Sequence, residues 1–375
     1  MMGWTAPVRH RCARLSYRDI NQREPSVDQI TRIFIDTSKT VFQLHGVNAA
    51  EDVVLRRKLR RSQVLAFFAK LDPVLIGLEA CAGSHHWARA LRALGHEVKL
   101  VPAQYVTPYV MRGKNDAIDA EAGCEAMSRP KVQARFVAVK SEEQQAALML
   151  ASVRDRMIQE RTRLSNAIRG HAAEFGVVAP RGLCHIEALV GRIAADEALP
   201  ELAREMFEVL KGAWRHLGAQ IRDLDRRFMA WHRQDATSRR LAQIPSVGPI
   251  GAALLVLKAP DPAAFKSARH FAAWMGLTPK DHSTAGKHKL GAITKAGDEA
   301  LRSTLVVGAT ALLQQVRKGR GPRSPWLLAL LARKEPKEAA VALANKVARI
   351  AWRMMISGHD YDPERLLRQP PPAAA

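Results

Sequence analysis

In Arg32-Ile33-Phe34-Ile35-Asp36, three apolar, β-favouring side chains in a row end on a carboxylate. A run this short and this apolar reads as a buried strand with an acid at its end. The flanking sequence gives that strand its neighbours. Thr40–Val47 is a second β-rich run, and an amphipathic helix is expected around Gln63–Leu71. Another buried-strand run follows at Pro73–Leu78, built on Val74, Leu75 and Ile76 and ending against Glu79. Gly83-Ser84 is a helix start, His86–Leu94 the helix, and Gly95 its stop. Glu97–Val101 is a further strand, Pro102–Met111 a loop or short helix, and Asn115–Met127 a helix with Asn115 placed to cap it. Strands alternating with helices predict an α/β sheet with parallel members over residues 31–140. Residues 1–30 mix Arg, Pro, Asn and Gln without periodicity and read as a flexible basic extension.

The pattern changes near Ser141. Up to Phe175, the residues Leu150, Val153, Met157, Leu164, Ile168 and Phe175 keep helical spacing, and Arg154, Arg156, Arg161, Arg163 and Arg169 crowd the positions between them. After a break at Gly176–Gly182, the series Phe207, Leu210, Trp214, Leu217, Ile221, Leu224, Phe228 and Trp231 alternates steps of three and four, a coiled-coil stripe. Residues 141–238 are therefore a helical coiled-coil region. An intramolecular helical hairpin and a dimerisation arm both satisfy the stripe. Residues 239–362 read as a mainly α-helical C-terminal domain punctuated by Gly and Pro, and 363–375 as a disordered Pro/Ala tail.

Charge narrows the partners. With 58 Lys+Arg against 36 Asp+Glu, the chain carries +22 and calls for a polyanion, while 47% hydrophobic residues exclude a disordered basic tail protein. The apolar run Ile250–Leu257 is too short to span a membrane, and the first 30 residues hold no apolar signal core, so a cytoplasmic protein is expected. The four cysteines, Cys12, Cys81, Cys124 and Cys184, lack CxxC pairing and are expected to be reduced and mostly buried. Cys81 and His85 stand at i, i+4, but no second ligand pair with zinc spacing follows.

Four carboxylates are placed for chemistry: Asp36 and Glu79 at strand ends, and Asp116 and Asp119 one turn apart on one helix face. Acids at the ends of neighbouring strands converge and repel, and hard cations such as Mg²⁺ or Mn²⁺ relieve that repulsion. Each acid alone reads as a turn or cap residue. As an ordered set along a β-β-α-β-α pattern, they resemble the D…E…D-x-x-D set of a RuvC/RNase H-like nuclease fold. Farther on, Leu241–Leu254 has the form of a helix-hairpin-helix, in which Gly248 and Gly251 would let backbone N–H groups meet a phosphate. The tract Gly276–Arg302 surrounds Ser283-Thr284 with His282, His288, Lys280, Lys287, Lys289, Lys295 and Arg302. A hydroxyl there can attack a phosphate, although composition alone favours a basic loop that only grips backbone phosphates. Arg154 and Arg161 on the helical arm are further candidates for nucleic-acid contact.

Seven blocks carry a wider resemblance: Phe34–Gly46, Leu75–Trp87, Tyr109–Glu121, Arg169–Gly176, Ala272–Pro279, the Ser283 loop and Ala342–Arg349. In this order they resemble transposases of insertion-sequence family 110, subgroup 1111, from about Ile33 to Tyr361. The resemblance implies an N-terminal RuvC-like domain whose Asp36, Glu79, Asp116 and Asp119 bind Mg²⁺, and a C-terminal domain whose Ser283 forms a phosphoserine link to DNA. It also implies a composite site often built between subunits, a homodimer or homotetramer, and a noncoding RNA that bridges donor and target DNA. The family's Ser-Ser-Gly-Gly or Ser-Thr-Gly-Gly is Ser283-Thr284-Ala285-Gly286 here, and Ala285 would narrow the loop if that position needs positive φ. Two alternatives remain at this level. One is a metal nuclease or junction resolvase using only the four acids, and the other is a noncatalytic RNA- or DNA-binding protein.

Overall fold

Ile33 and Ile35 point to one side of strand β1 (Arg32–Thr37) and Phe34 to the other, and all three are buried, so this strand must be covered on both faces. The computed structural model, which describes residues 30–111, 116–133, 135–284, 286–287, 289–322 and 324–363, places it at the centre of a five-stranded sheet. The basic extension (but for Ile30), the tail (but for Pro363), and the expectations for Asn115, Ala285, His288 and Cys12 lie outside the described residues. The chain divides between Val139 and Lys140 into two compact units.

In the first unit, β2 (Val41–Val47) and β3 (Val53–Arg60) continue antiparallel from β1, and β4 (Leu75–Glu79) and β5 (Glu97–Val101) lie parallel to it, in the order β3-β2-β1-β4-β5. Helices α1 (Val64–Phe68) and α2 (Ser84–Ala93) cover the face that carries Ile33, Ile35, Ile76 and Leu78. After the short α3 (Ala103–Val106), α4 (Asp116–Ser128) covers the Phe34 face, and α5 (Pro130–Gln133) follows it. This mixed α/β unit is compatible with an RNase H-like fold. Two glycines set the closeness of α4. A Cβ on Gly77 would stand 2.6 Å from Phe34 Cδ2, and one on Gly123 2.1 Å from Phe34 Cε1.

The sequence reading did not foresee β3. Its Arg56-Arg57-Lys58 centre masks the two residues that are buried, Leu55 and Leu59, and the same charges suit an edge strand, where they discourage pairing with another sheet. Helix α1 is also shorter than Gln63–Leu71. Of the three described cysteines only Cys124 is buried, and Cys81 and Cys184 are exposed, contrary to the expectation of mostly buried thiols.

The second unit is helical apart from one hairpin. Ser141 and Gln144 exchange side-chain-to-backbone hydrogen bonds that start α6 (Glu142–Glu174), a helix of 33 residues. Helix α7 (Ile186–Ala194) leads to α8 (Glu201–Gln234), which packs antiparallel on α6. The apolar stripe of α8 faces inward: Phe207, Trp214, Ile221 and Phe228, seven residues apart, are buried. Trp214 Nε1 donates to Ser165 Oγ at 2.8 Å. The stripe therefore closes an intramolecular hairpin. Helices α9 (Ala236–Leu241), α10 (Pro249–Lys258) and α11 (Ala268–Trp274) follow. Strands β6 (Pro279–Asp281) and β7 (Leu290–Ile293) form the hairpin, and α12 (Glu299–Arg317), α13 (Pro325–Arg333) and α14 (Pro336–Ser357) complete the unit. Ala151 of α6 and Phe228 of α8 share one core with α10, α12 and α14. Among the described residues, no helix is long and apolar enough to cross a membrane.

Candidate active site

Parallel pairing sets Ile35 opposite Leu78, so the next residues, Asp36 and Glu79, leave adjacent strand ends on the same face. That is the face covered by α4, whose first turn carries Asp116 and Asp119. The effect of this gathering shows at Asp36 and Glu79. Asp36 is pushed up from 3.8 to about 6, first by burial and then by the charges of Asp116, Asp119 and Glu79, against a single relieving hydrogen bond from the Thr37 backbone. Burial and Asp119 push Glu79 up as well. Repelling oxygen donors at one sheet end fit a hard divalent cation in chemistry. As placed, no three His, Cys, Asp or Glu side chains among the described residues are gathered closely enough to hold an ion. Holding one therefore requires the carboxylates to turn inward.

Ser283 lies in the second unit, on the hairpin that replaces the expected loop. Bonds from His282 N–H to Lys289 O (2.9 Å) and between Thr284 and Lys287 carry the ladder past β6 and β7 to the tip. The Ser283 N–H donates to Asp281 Oδ1 at 2.9 Å, the Lys289 N–H donates to Ser283 Oγ at 3.2 Å, and the Ser283 side chain stands beside the Asp281 carboxylate. The Ser283 side chain and N–H hold the exposed Asp281 carboxyl below its usual range. The sequence reading missed Asp281, whose position two residues before a serine is the signature of an Asx turn. Lys280, Lys287, Lys289 and Lys295 are all exposed on or beside this hairpin.

An isolated two-stranded ribbon is marginal in water, and this one is pinned at its base. Gly276 (φ 71°) and Gly297 (φ 79°) lie where a Cβ would meet backbone at 2.2 Å and 1.9 Å. Arg302 Nη1 donates to Met275 O and Ala296 O, each at 3.2 Å. Arg302 thus fastens the hairpin to α12 rather than standing free for a phosphate.

Three other candidates for nucleic-acid contact are placed differently from expectation. Gly251 is buried inside α10, facing Thr304 of α12, and is closed to a phosphate, whereas Gly248 is exposed at the start of α10. Arg154 pairs with Asp225, and Arg161 lies 4.3 Å over the Trp214 ring. Both arginines bind α6 to α8, and the exposed cations of that helix include Arg156 and Arg163.

These two centres sit in the two parts of the chain that match known transposases. Residues 34–176 match the DEDD transposase domain of the IS110 type, and residues 238–322 match the transposase family described as IS116/IS110/IS902. A candidate transposase of Sinorhizobium fredii is 61% identical over 355 residues, covering 94% of this chain and 91% of that one. A candidate family 20 transposase of Pseudomonas aeruginosa is 45% identical over 337 residues, covering 89% and 99%. The transposase for insertion sequence element IS1111A of Coxiella burnetii is 35% identical over 343 residues, covering 91% and 93%. The class is therefore that of the DNA transposases, enzymes that cut and transfer DNA. The chain belongs to the IS116/IS110/IS902 family of insertion-sequence transposases.

Proposed function

We propose that this transposase, acting in the cytoplasm, cuts and rejoins DNA strands through Ser283. In this reading Asp36, Glu79, Asp116 and Asp119 form a Mg²⁺- or Mn²⁺-dependent centre, and a noncoding RNA of the element bridges donor and target DNA. The observation that supports the nucleophile is the Ser283–Asp281 pair, a serine whose backbone N–H is held by a neighbouring carboxylate and whose side chain stands beside it amid exposed lysines. In the cleavage step the Oγ–P bond forms and the P–O bond to the departing strand end breaks. The hydroxyl proton passes to Asp281 and on to solvent, and the departing oxygen takes up a proton. Rejoining is the reverse attack of a strand-end hydroxyl on the phosphoserine. Lys280, Lys287 and Lys289 balance the charge that builds on the phosphorus oxygens. Divalent ions held by the four acids would supply Lewis-acid neutralisation of a phosphodiester.

Other parts of the reading rest on placement. The charge of +22 supports two polyanionic partners, RNA and DNA, and sequence choice would then reside in base pairing. The α6–α8 pair acts as a coiled-coil arm, and Gly248 marks the exposed corner of a helix-hairpin-helix-like phosphate contact. A groove of about 550 Å³ near the end of the arm, with Leu202, Met206 and Val209 exposed, supports a homodimer or homotetramer. The test uses cognate RNA, donor and target. Ser283→Ala should abolish both the covalent protein–DNA adduct and recombination, and chelation should stop recombination. Cleavage that survives Ser283→Ala and is lost on chelation would instead establish a metal nuclease.

A further inference from the structure

Strand β3 was invisible in the sequence because of its charge, and that charge has a direction. Register places Asp36 of β1 beside Gln43 of β2, and Gln43 beside Lys58 of β3. Residues in register share a face, so Lys58 stands on the Asp36 face, two interstrand steps or about 10 Å from it across the sheet. Arg56 and Arg60 alternate onto the same face. Arg56 pairs with Glu121 of α4 at 3.5 Å, whereas Lys58 and Arg60, both exposed, pair with no carboxylate among the described residues.

At the sheet end the row meets a cavity of about 660 Å³ that reaches the side covered by α1 and α2, where the β1–β2 turn meets the end of β3 and the start of α2, lined by Lys39, Arg60, Arg61, Ser62, His86 and Trp87 among others. Its chemistry is cationic and aromatic. Arg61 lies 5.0 Å over the Trp87 ring and 5.8 Å over Phe42, and His86 meets Trp87 edge-on at 5.4 Å. Lys39 and Arg61 also pair with no carboxylate among the described residues. Unpaired cations spaced every second residue along a strand suit successive phosphates, and a guanidinium plane offers a base a stacking surface.

We propose that the Lys58–Arg60 row and the Lys39–Arg61–Trp87 cavity form a track for the phosphodiester backbone of one unpaired nucleic-acid strand, running from beside the carboxylate cluster round the end of the sheet. The track rests on the reading of that cluster as a phosphodiester-processing centre. It gives the first unit a grip of its own, separate from the lysines around Ser283.

The test is lysine acetylation of the full chain, read by mass spectrometry without divalent ions, with and without a short single-stranded oligonucleotide. Matched DNA and RNA arms carry the same sequence. Lys39 and Lys58 should lose most of their reactivity in at least one arm, while Lys70, exposed after α1 and outside the cavity lining, keeps its own. Protection in both arms identifies the backbone alone as the ligand, and protection in one identifies which strand the track holds. The surface double variant Lys58→Gln/Arg60→Gln should lose the protection at Lys39 and lower the salt slope of binding by about 1.4. Protection at Lys280 and Lys289 with Lys39 and Lys58 unchanged overturns the track while leaving the transposase reading intact. No protection at any lysine, with no binding, removes both.

Discussion

Replacing Asp36 by Asn should make the first unit more stable, although Asp36 belongs to the proposed metal centre. Its carboxyl is pushed up from 3.8 to about 6. That difference is worth about 3 kcal/mol at the limit, and because Asp36 is only about half-buried, screening brings it to about 1 kcal/mol. The sign follows from proton counting. Between pH 3.8 and 6 the folded state binds more protons than the unfolded one, so stability falls as pH rises through this window. The penalty is absent below 3.8 and complete above 6. Asn removes the charge and can still accept the Thr37 backbone bond. At pH 7.5 in chelator, amide exchange in peptides spanning β1 and β4 should slow about fivefold in Asp36→Asn, the equivalent of about 1 kcal/mol. The gap should close near pH 4. Mg²⁺ should slow exchange in the wild-type protein and leave the variant unmoved. A variant that exchanges faster than wild type at pH 7.5, or a gap that persists at pH 4, would refute the burial and repulsion that raise the Asp36 carboxyl.

Other perturbations follow from the packing. Gly123→Ala adds a methyl 2.1 Å from Phe34, which costs about 1–3 kcal/mol in thermal unfolding despite better helix propensity, and it should lift α4 enough to lower Mg²⁺ affinity by calorimetry. Arg302→Leu removes both bonds at the hairpin base, so limited proteolysis should begin cutting between Lys280 and Lys295 while the α12 core keeps its melting temperature to within a few degrees. Met206→Glu/Val209→Glu places charge in the exposed apolar groove of the arm, and light scattering should show the assembly reduced to monomers with the circular dichroism unchanged.

Much of the first unit was legible because its strands differ so plainly from their surroundings. Ile33, Phe34 and Ile35 cannot be placed in water, and Asp36 and Glu79 come to adjacent strand ends through register alone. The two glycines that let α4 approach were not legible, because the need for them lies in Phe34, far off in sequence. On the arm, the seven-residue step from Arg154 to Arg161 already puts both on one helical face, but which face meets α8 is decided by tertiary packing. A 3–4 spacing states that a stripe is buried without saying by which chain. The Ser283 hairpin escaped for a different reason. Leu290-Gly-Ala-Ile293 has no polar–apolar alternation, and its stability comes from positive φ at Gly276 and Gly297 and from Arg302 on another element.

The central claim is that a serine of this chain becomes covalently joined to DNA. Digesting a trapped adduct with trypsin isolates the peptide Asp281–Lys287, since Lys280 and Lys287 bracket it. Tandem mass spectrometry should find the nucleotide on Ser283. Nucleotide on Thr284, or full recombination with no modified peptide in a chain whose Ser283 is intact, would contradict the account.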